Sequence, residues 1–156
     1  MKRTERRSDC PINFALQTFG DAWSLLVIRD LMFTDRATYT DFLRAEEGMA
    51  TNVLADRLRS LQAAGLIRRR GAARGATYAL TAKGLDLLPA MLELIAWSAR
   101  YDPSTAAPAP FVARIRSDRE TLLSELRAGL RQRHGIKQPR ERGSRRPRVS
   151  APGAAP

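Results

Sequence analysis

Met49-Ala50-Thr51-Asn52-Val53-Leu54-Ala55-Asp56-Arg57-Leu58-Arg59-Ser60-Leu61-Gln62-Ala63-Ala64-Gly65-Leu66-Ile67-Arg68-Arg69-Arg70 is the stretch that decides the fold of this chain. At the helical repeat, Leu54, Leu58 and Leu61 form one apolar stripe, while Asn52, Asp56 and Arg59 fall on the opposite face. One side packs and the other is open to a partner. Gly65 stands where a left-handed helix cap is favoured, and Leu66-Ile67 open a short strand. The strand runs to Arg70, turns through Gly71-Ala72-Ala73-Arg74-Gly75 and returns along Ala76-Thr77-Tyr78-Ala79-Leu80. Arg68, Arg69, Arg70 and Arg74 sit on this hairpin.

Upstream, Ser8 or Asp9 is placed to cap a short helix with Pro11 in its first turn, Ile12, Ala15, Leu16 and Phe19 at helical spacing, and Gly20 as the stop. The run Trp23–Phe33 is apolar nearly all round, as expected of a helix surrounded by others. Thr38 or Thr40 opens the next helix, which buries Tyr39, Phe42 and Leu43 before Glu46-Glu47-Gly48 turns the chain into Thr51–Ala63. Two helices joined by a Gly-containing turn make a helix-turn-helix. Downstream, Thr81 caps a long helix with Leu85, Leu88, Leu92, Ile95, Ala96 and Ala99 inward, and Pro89 predicts a kink near Leu85. Ser117-Asp118-Arg119-Glu120 reads as a capping box ahead of a stripe of Leu122, Leu123, Leu126 and Leu130.

The fold class is therefore mainly α with a small β-hairpin wing. Its organisation reads as a basic N-terminal arm (1–8), a winged helix-turn-helix domain with a C-terminal dimerisation helix (9–101), a Pro/Ala/Ser linker (102–116), an amphipathic helix (117–134) and a disordered basic tail (135–156).

The 156 residues leave room for one compact domain with extensions, and 44% hydrophobic content supports a packed core. The formal net charge of +11, from 27 Lys plus Arg against 16 Asp plus Glu, points to a polyanionic partner. Residues 1–101 are 15 basic and 11 acidic (+4), residues 102–136 are 6 and 4 (+2), and residues 137–156 are 6 and 1 (+5). Nearly half of the excess thus lies in the tail, which either adds sequence-independent DNA affinity by counterion release or acts as an inert solubilising end. A charged start without an apolar core region and the lack of a spanning apolar run predict a cytoplasmic, nucleoid-associated protein with no membrane partner. The single cysteine, Cys10, leaves no internal disulfide framework. No His, Cys or carboxylate cluster has ligand spacing, so neither a metal nor a cofactor is expected. With no Gly-rich phosphate loop and no paired nucleophile and base, an enzyme is the poorest reading.

Cys10-Pro11, Gly20–Leu31, Tyr39–Phe42, Asn52–Leu58, Gly65-Leu66-Ile67 and Tyr78–Gly84 together resemble the HxlR family of bacterial transcriptional regulators, which are similar to the MarR regulators in their winged helix-turn-helix. The resemblance covers roughly residues 9–100. It implies a homodimer that binds double-stranded DNA at an operator of palindromic character, with repression as the expected outcome. It also implies, for some members, sensing of electrophiles or oxidants by a cysteine ahead of the first helix, the position of Cys10. A small-molecule or oxidant effector is expected on that ground. One departure is visible: where the family commonly has Ser then Pro opening the recognition helix, this chain has Ala50 then Thr51, which predicts that the cap shifts to Thr51.

On that frame Thr51, Asn52 and Asp56 are the candidates for base readout. Asn52 leads, because a side-chain amide pairs bidentately with adenine and the N-terminal residues of a recognition helix lie closest to base edges. Arg59, Arg68, Arg69, Arg70 and Arg74 are assigned to phosphate and wing contacts. Arg57 is closer to the packed stripe, which predicts an internal ion pair with Asp30 or Asp41; Arg29 and Arg36 have no assignment. Cys10 stands at a helix start beside Arg6 and Arg7, which favours a reactive thiolate, while the bland alternative is a small residue sealing the first helix. Ile12, Leu16, Leu88, Leu92, Ile95 and Trp97 form the expected dimer interface. His134 is explained by favourable placement at a helix end beside Gly135. The competing reading is a winged-helix module that binds a protein through residues 117–134, or a basic protein that binds DNA without sequence preference.

Overall fold

A computed structural model describes residues 8–72 and 75–137. In chain order the elements are α1 (Pro11–Phe19), α2 (Ser24–Phe33), α3 (Tyr39–Leu43), α4 (Thr51–Ala63), β1 (Ile67–Arg70), β2 (Thr77–Leu80), α5 (Ala82–Leu85), α6 (Leu88–Tyr101), α7 (Ala109–Ser117) and α8 (Arg119–His134). The architecture is mainly α with one two-stranded antiparallel hairpin.

Helix α2 lies at the centre. It has too few polar residues to face water, and Val27, Ile28, Leu31 and Met32 are all buried. Leu54, Leu58 and Leu61 of α4 belong to the same core, as do Leu66, Ile67 and Leu80 around the hairpin. Leu88, Met91 and Leu92 of α6 join them, with Ile115 of α7 and Leu122, Leu123 and Leu130 of α8. A fully buried Leu or Ile side chain contributes about 1.5–3 kcal/mol, so each of these elements is held by several such residues.

The hairpin pairs Ile67 with Leu80, Arg68 with Ala79, Arg69 with Tyr78 and Arg70 with Thr77. The outer edge of β2 is also paired: Thr38 bridges Thr77, and the Tyr78 N–H donates to the Ala37 carbonyl at 2.7 Å. The stretch before α3 thus acts as a third, minimal strand. Two glycines shape the approach to the hairpin. Gly65 turns the chain out of α4 at φ +72°, a conformation side chains rarely adopt. Gly84 lets α5 lie against the backbone of Leu66, since a Cβ there would stand 2.1 Å from the Leu66 carbonyl oxygen.

Several expectations are corrected. The long helix after Thr81 is two helices: Pro89 cannot donate to residue 85 and clashes with its carbonyl, so α5 ends at Leu85 and α6 takes Pro89 into its first turn. The expected linker over 102–116 contains most of α7, because Ile115 enters the core and Phe111 packs edge-on against Phe33 at 6.2 Å. Ser117 does not open a capping box. It ends α7, its hydroxyl donating to the Ala113 carbonyl, and Asp118 is both the last boundary of α7 and the first of α8. Cys10, rather than Ser8 or Asp9, is the N-cap of α1. Placement at the helix end does not by itself account for His134, which is buried at 4% exposure. Leu88 and Leu92 are buried in the chain's own core, which removes them from any surface. The tail from residue 138 lies outside the described residues.

Gly84→Ala is expected to destabilise the fold by about 1–3 kcal/mol, because the clash is with backbone and cannot be relieved by a rotamer change. In urea denaturation the midpoint should drop while the slope is unchanged; an unshifted midpoint would show that α5 has room to retreat.

Candidate nucleic-acid interface

The polar face of α4 is presented by two helices that hold its start. Thr38 caps α3 with a complete capping box: its hydroxyl accepts from the Asp41 N–H at 3.1 Å, and the Asp41 carboxylate accepts from the Thr38 N–H at 2.9 Å. The Thr38 hydroxyl and the N–H groups of Thr38 and Ala37 hold the Asp41 carboxyl below the usual range. Tyr39 then donates its phenol O–H to the Thr51 carbonyl at 2.8 Å, tying α3 to the first residue of α4. The expected shift of the cap to Thr51 does not occur: Ala50 is the N-cap, it makes no side-chain cap bond, and Thr51 is already helical. The α4 start is secured from outside by Tyr39.

Asn52, Thr51 and Arg59 are exposed on α4, Arg59 at 75%. Asp56 is not alone: it pairs with Arg57 and, at 3.5 Å, with Arg59. The hydrogen bond from Arg57 keeps its carboxyl below the ordinary range. Arg57 also reaches Asp21 at 3.1 Å, so its partners are Asp21 and Asp56 rather than Asp30 or Asp41. Asp21 in turn accepts from the N–H groups of Trp23 and Ser24, both at 2.9 Å, at the start of α2. Burial alone would push Asp21 up, but the Ser24 hydroxyl, these two N–H groups and Arg57 together outweigh it and leave it lowered. A chain of charge-assisted contacts thus runs from the start of α2 to the polar face of α4.

The two arginines left unassigned by sequence belong to the same frame. Arg29 joins buried Asp30 to Glu47, in the turn before α4, and Arg36 approaches Asp30 at 3.5 Å. Tyr39, Asp21 and Glu47 carried no sequence signal for this role, because their partners lie on other elements.

On the hairpin the arginines divide by strand alternation. Arg69 is exposed and shares its face with Tyr78, whose ring packs 6.0 Å from Phe42 of the helix-turn-helix. Arg68 and Arg70 share the other face and both donate to the His134 carbonyl at the end of α8. Arg74 lies outside the described residues. Cys10 is exposed, and its N–H meets the Ser8 hydroxyl at 3.4 Å. Of the expected dimer residues, Ile12, Leu16 and Trp97 are exposed at 67%, 61% and 64%, and Ile95 is half-buried. Phe14, Leu94 and Tyr101 add to the exposed apolar surface of α1 and α6. A cleft of about 600 Å³ opens beside it, lined by Trp97, Tyr101, Arg100 and Arg116 together with the Arg119–Glu93 pair.

A helix-turn-helix with an exposed polar face and a basic two-stranded hairpin is a winged helix-turn-helix, and the HxlR-like helix-turn-helix family model matches residues 18–106. The chain belongs to the HxlR-like helix-turn-helix family. An uncharacterized HTH-type transcriptional regulator of Synechocystis sp., sll1512, is 33% identical over 88 residues, covering 54% of this chain and 64% of that protein. The chain therefore spans about 64% of the length of the curated relative it matches. Among solved structures, PA1607, a candidate transcription factor, aligns with TM-score 0.57 and 32% identity over 65% of this chain and 73% of that one. The reduced form of the transcriptional regulator YodB from B. subtilis aligns with TM-score 0.50 and 25% identity over 63% and 100%. Its quinone-bound form aligns with TM-score 0.50 and 26% identity over 59% and 100%. The HxlR-type match ends near residue 106, and α7 and α8 lie beyond it.

The Arg57–Asp21 pair is half-open to solvent, with side chains 28% and 29% exposed. A double-mutant cycle with Arg57→Met and Asp21→Asn is expected to give a coupling of about 0.2–1 kcal/mol in chemical denaturation. A coupling of zero would show that α4 is positioned without it.

Proposed function

We propose that this chain is a homodimeric transcriptional repressor that sets α4 of each protomer into successive major grooves of a palindromic operator. The observation that carries this reading is the exposed face of α4, with Thr51, Asn52 and Arg59, set beside a basic hairpin in a family of helix-turn-helix proteins. Asn52 reads a base, Arg59 meets a phosphate or guanine, and Asp56 orients Arg57 and Arg59. Arg69, on the hairpin face shared with Tyr78, contacts the DNA backbone. The partner is double-stranded DNA in the cytoplasm, at the nucleoid. No helix among the described residues is long and apolar enough to cross a membrane.

Dimerisation is supported by the large apolar side chains left in water on α1 and α6, with Ile12, Leu16 and Trp97 the most prominent of the expected set. Two-fold pairing of those faces sets two recognition helices in the symmetric arrangement that a palindrome requires.

A redox or electrophile response through Cys10 is supported by its exposure and by the likeness to YodB, which has been solved reduced and with quinone bound. With one cysteine per chain, two-electron oxidation joins two Cys10 thiols across the dimer or one Cys10 to a small thiol. In either case the two thiol protons and two electrons pass to the oxidant. An electrophile instead takes the thiolate as an adduct.

Titration of the full chain into duplexes from upstream of its own and neighbouring genes, against a scrambled duplex at several salt concentrations, tests the reading. One native duplex is expected to bind far more tightly at physiological salt, and equal affinity for all would reduce the protein to a non-specific binder. Asn52→Ala is expected to relax preference at one position of each half-site by about 1–3 kcal/mol. A uniform loss across sequences would assign Asn52 to helix positioning. Cys10→Ser is expected to keep operator affinity while losing the response to quinone or diamide, and a surviving response would remove the thiol as sensor.

A further inference from the structure

The last turn of α8 touches four separate parts of the molecule. His134 is buried, its Nδ1 accepts from the Leu80 N–H at 3.3 Å, and its Nε2 lies 2.8 Å from the Leu31 carbonyl. Because the Leu80 N–H can only donate, Nδ1 is the acceptor and Nε2–H donates to Leu31, which makes the ring neutral. That one ring satisfies two groups with no partner in their own elements. Leu31 O is among the last carbonyls of α2, and the Leu80 N–H is on the β2 edge that Ala37 covers at Tyr78. The carbonyls at the end of α8 are met from β1. Arg68 and Arg70 donate to His134 O, and Arg68 also reaches Gly135 O at 3.1 Å. Two guanidinium groups therefore stand at the negative end of a 16-residue helix, a favourable placement for positive charge. Arg133 completes the contact by donating to the Thr34 carbonyl at 3.0 Å.

We propose that the carboxyl-terminal turn of α8 is a brace that fixes the hairpin wing against α2, with His134 as the positioning residue and Arg68 and Arg70 as its anchors on β1. The segment beyond the family match thereby sets the angle at which the wing meets DNA. Its bearing on DNA rests on the function proposed above; the brace itself is a property of the free protein. It also divides the arginine cluster. Arg68 and Arg70 hold the wing from behind, and Arg69 on the opposite face is the one turned toward the helix-turn-helix side. The same geometry excludes the charged ring. An imidazolium has no lone pair for the Leu80 N–H, and Arg68, Arg70, Arg133, Arg36, Asp35 and Tyr78 are the charged or titratable groups around it. Burial first, then the charges of Arg133, Arg70 and Arg68, hold the imidazole below its usual range, against the Leu31 hydrogen bond. A base whose folded value is lowered stabilises the fold above its unfolded pKa of about 6.5 and loses that contribution as pH falls below it. Bracing should therefore weaken on acidification.

The test is hydrogen exchange of the full chain without DNA, comparing residues 67–80 with residues 24–33 from pH 5 to 8 after correction for intrinsic rates. In His134→Ala and in Arg70→Gln, protection of 67–80 is expected to fall about tenfold while 24–33 is unchanged. Wild-type protection of 67–80 should decline as pH falls below the unfolded imidazole value of about 6.5, and His134→Ala should show no such decline. If His134→Ala loses protection throughout, Arg70→Gln decides, since it leaves the buried ring in place. Unchanged protection of 67–80 in Arg70→Gln, or a wild-type wing indifferent to pH, would overturn the brace. Binding then supplies a separate readout. Arg70→Gln is expected to weaken the native duplex about tenfold with an unaltered salt slope, whereas a slope smaller by about one would place Arg70 on a phosphate and overturn its role as anchor. Equal binding of native and scrambled duplexes would defeat the DNA reading and leave the exchange result standing.

Discussion

Everything in this molecule is arranged by the need to keep water from α2. Ile28 and Leu31 are 0% and 1% exposed, and a helix apolar on nearly every side is stable only when other elements cover every side. Helix α4 covers it with a leucine stripe and the hairpin with Ile67 and Leu80, while leucines of α6 and α8 and Ile115 of α7 extend the same core. The exposed polar face of α4 is a by-product of that burial, because a stripe committed to α2 fixes which residues remain outside. Thr51, Asn52 and Arg59 therefore point outward for the same reason that Leu54, Leu58 and Leu61 point inward.

Apolar burial alone would leave α4 able to slide and rotate, since the hydrophobic effect is non-directional. Direction comes from polar contacts. Asp21 caps the start of α2 and takes Arg57 from α4, Tyr39 takes the Thr51 carbonyl, and Arg29 links Asp30 to Glu47. Each contact is modest in energy, but each has a preferred geometry, and together they set the orientation of the face that would meet DNA. The wing is treated in the same way from the other side, with a buried imidazole and two arginines on the end of α8.

Much of this was legible in the sequence. The apolar spacing from Leu54 to Leu61, the Gly65 stop and a helix start at Thr38 or Thr40 are local signals, and the structure places α4, the turn and the cap at Thr38 accordingly. The hairpin followed from its flanking glycines and β-branched residues, with strand bounds within a residue of those expected. The failures share a cause. Pro89 predicts a kink, but whether proline bends a helix or starts a new one depends on whether neighbours hold the two halves in line. The stretch 102–116 looked like a linker from its prolines and alanines, yet Phe111 and Ile115 had a core within reach.

The sequence by itself determined the order of elements from α1 to β2, the helix-turn-helix, the basic hairpin and which face of α4 stays polar. These depend on periodicity and backbone preference over a few neighbouring residues. Tertiary structure alone decided that Leu88 and Leu92 are core while Trp97 is surface, that Arg57 pairs with Asp21, and that Arg68 and Arg70 bind α8. It alone decided that His134 joins Leu80 and Leu31, which precede it by 54 and 103 residues. A charged or hydrogen-bonding side chain carries no record of its partner along the chain. The partner is whichever complementary group packing brings within about 3 Å, and that is known only once the apolar faces have chosen their neighbours.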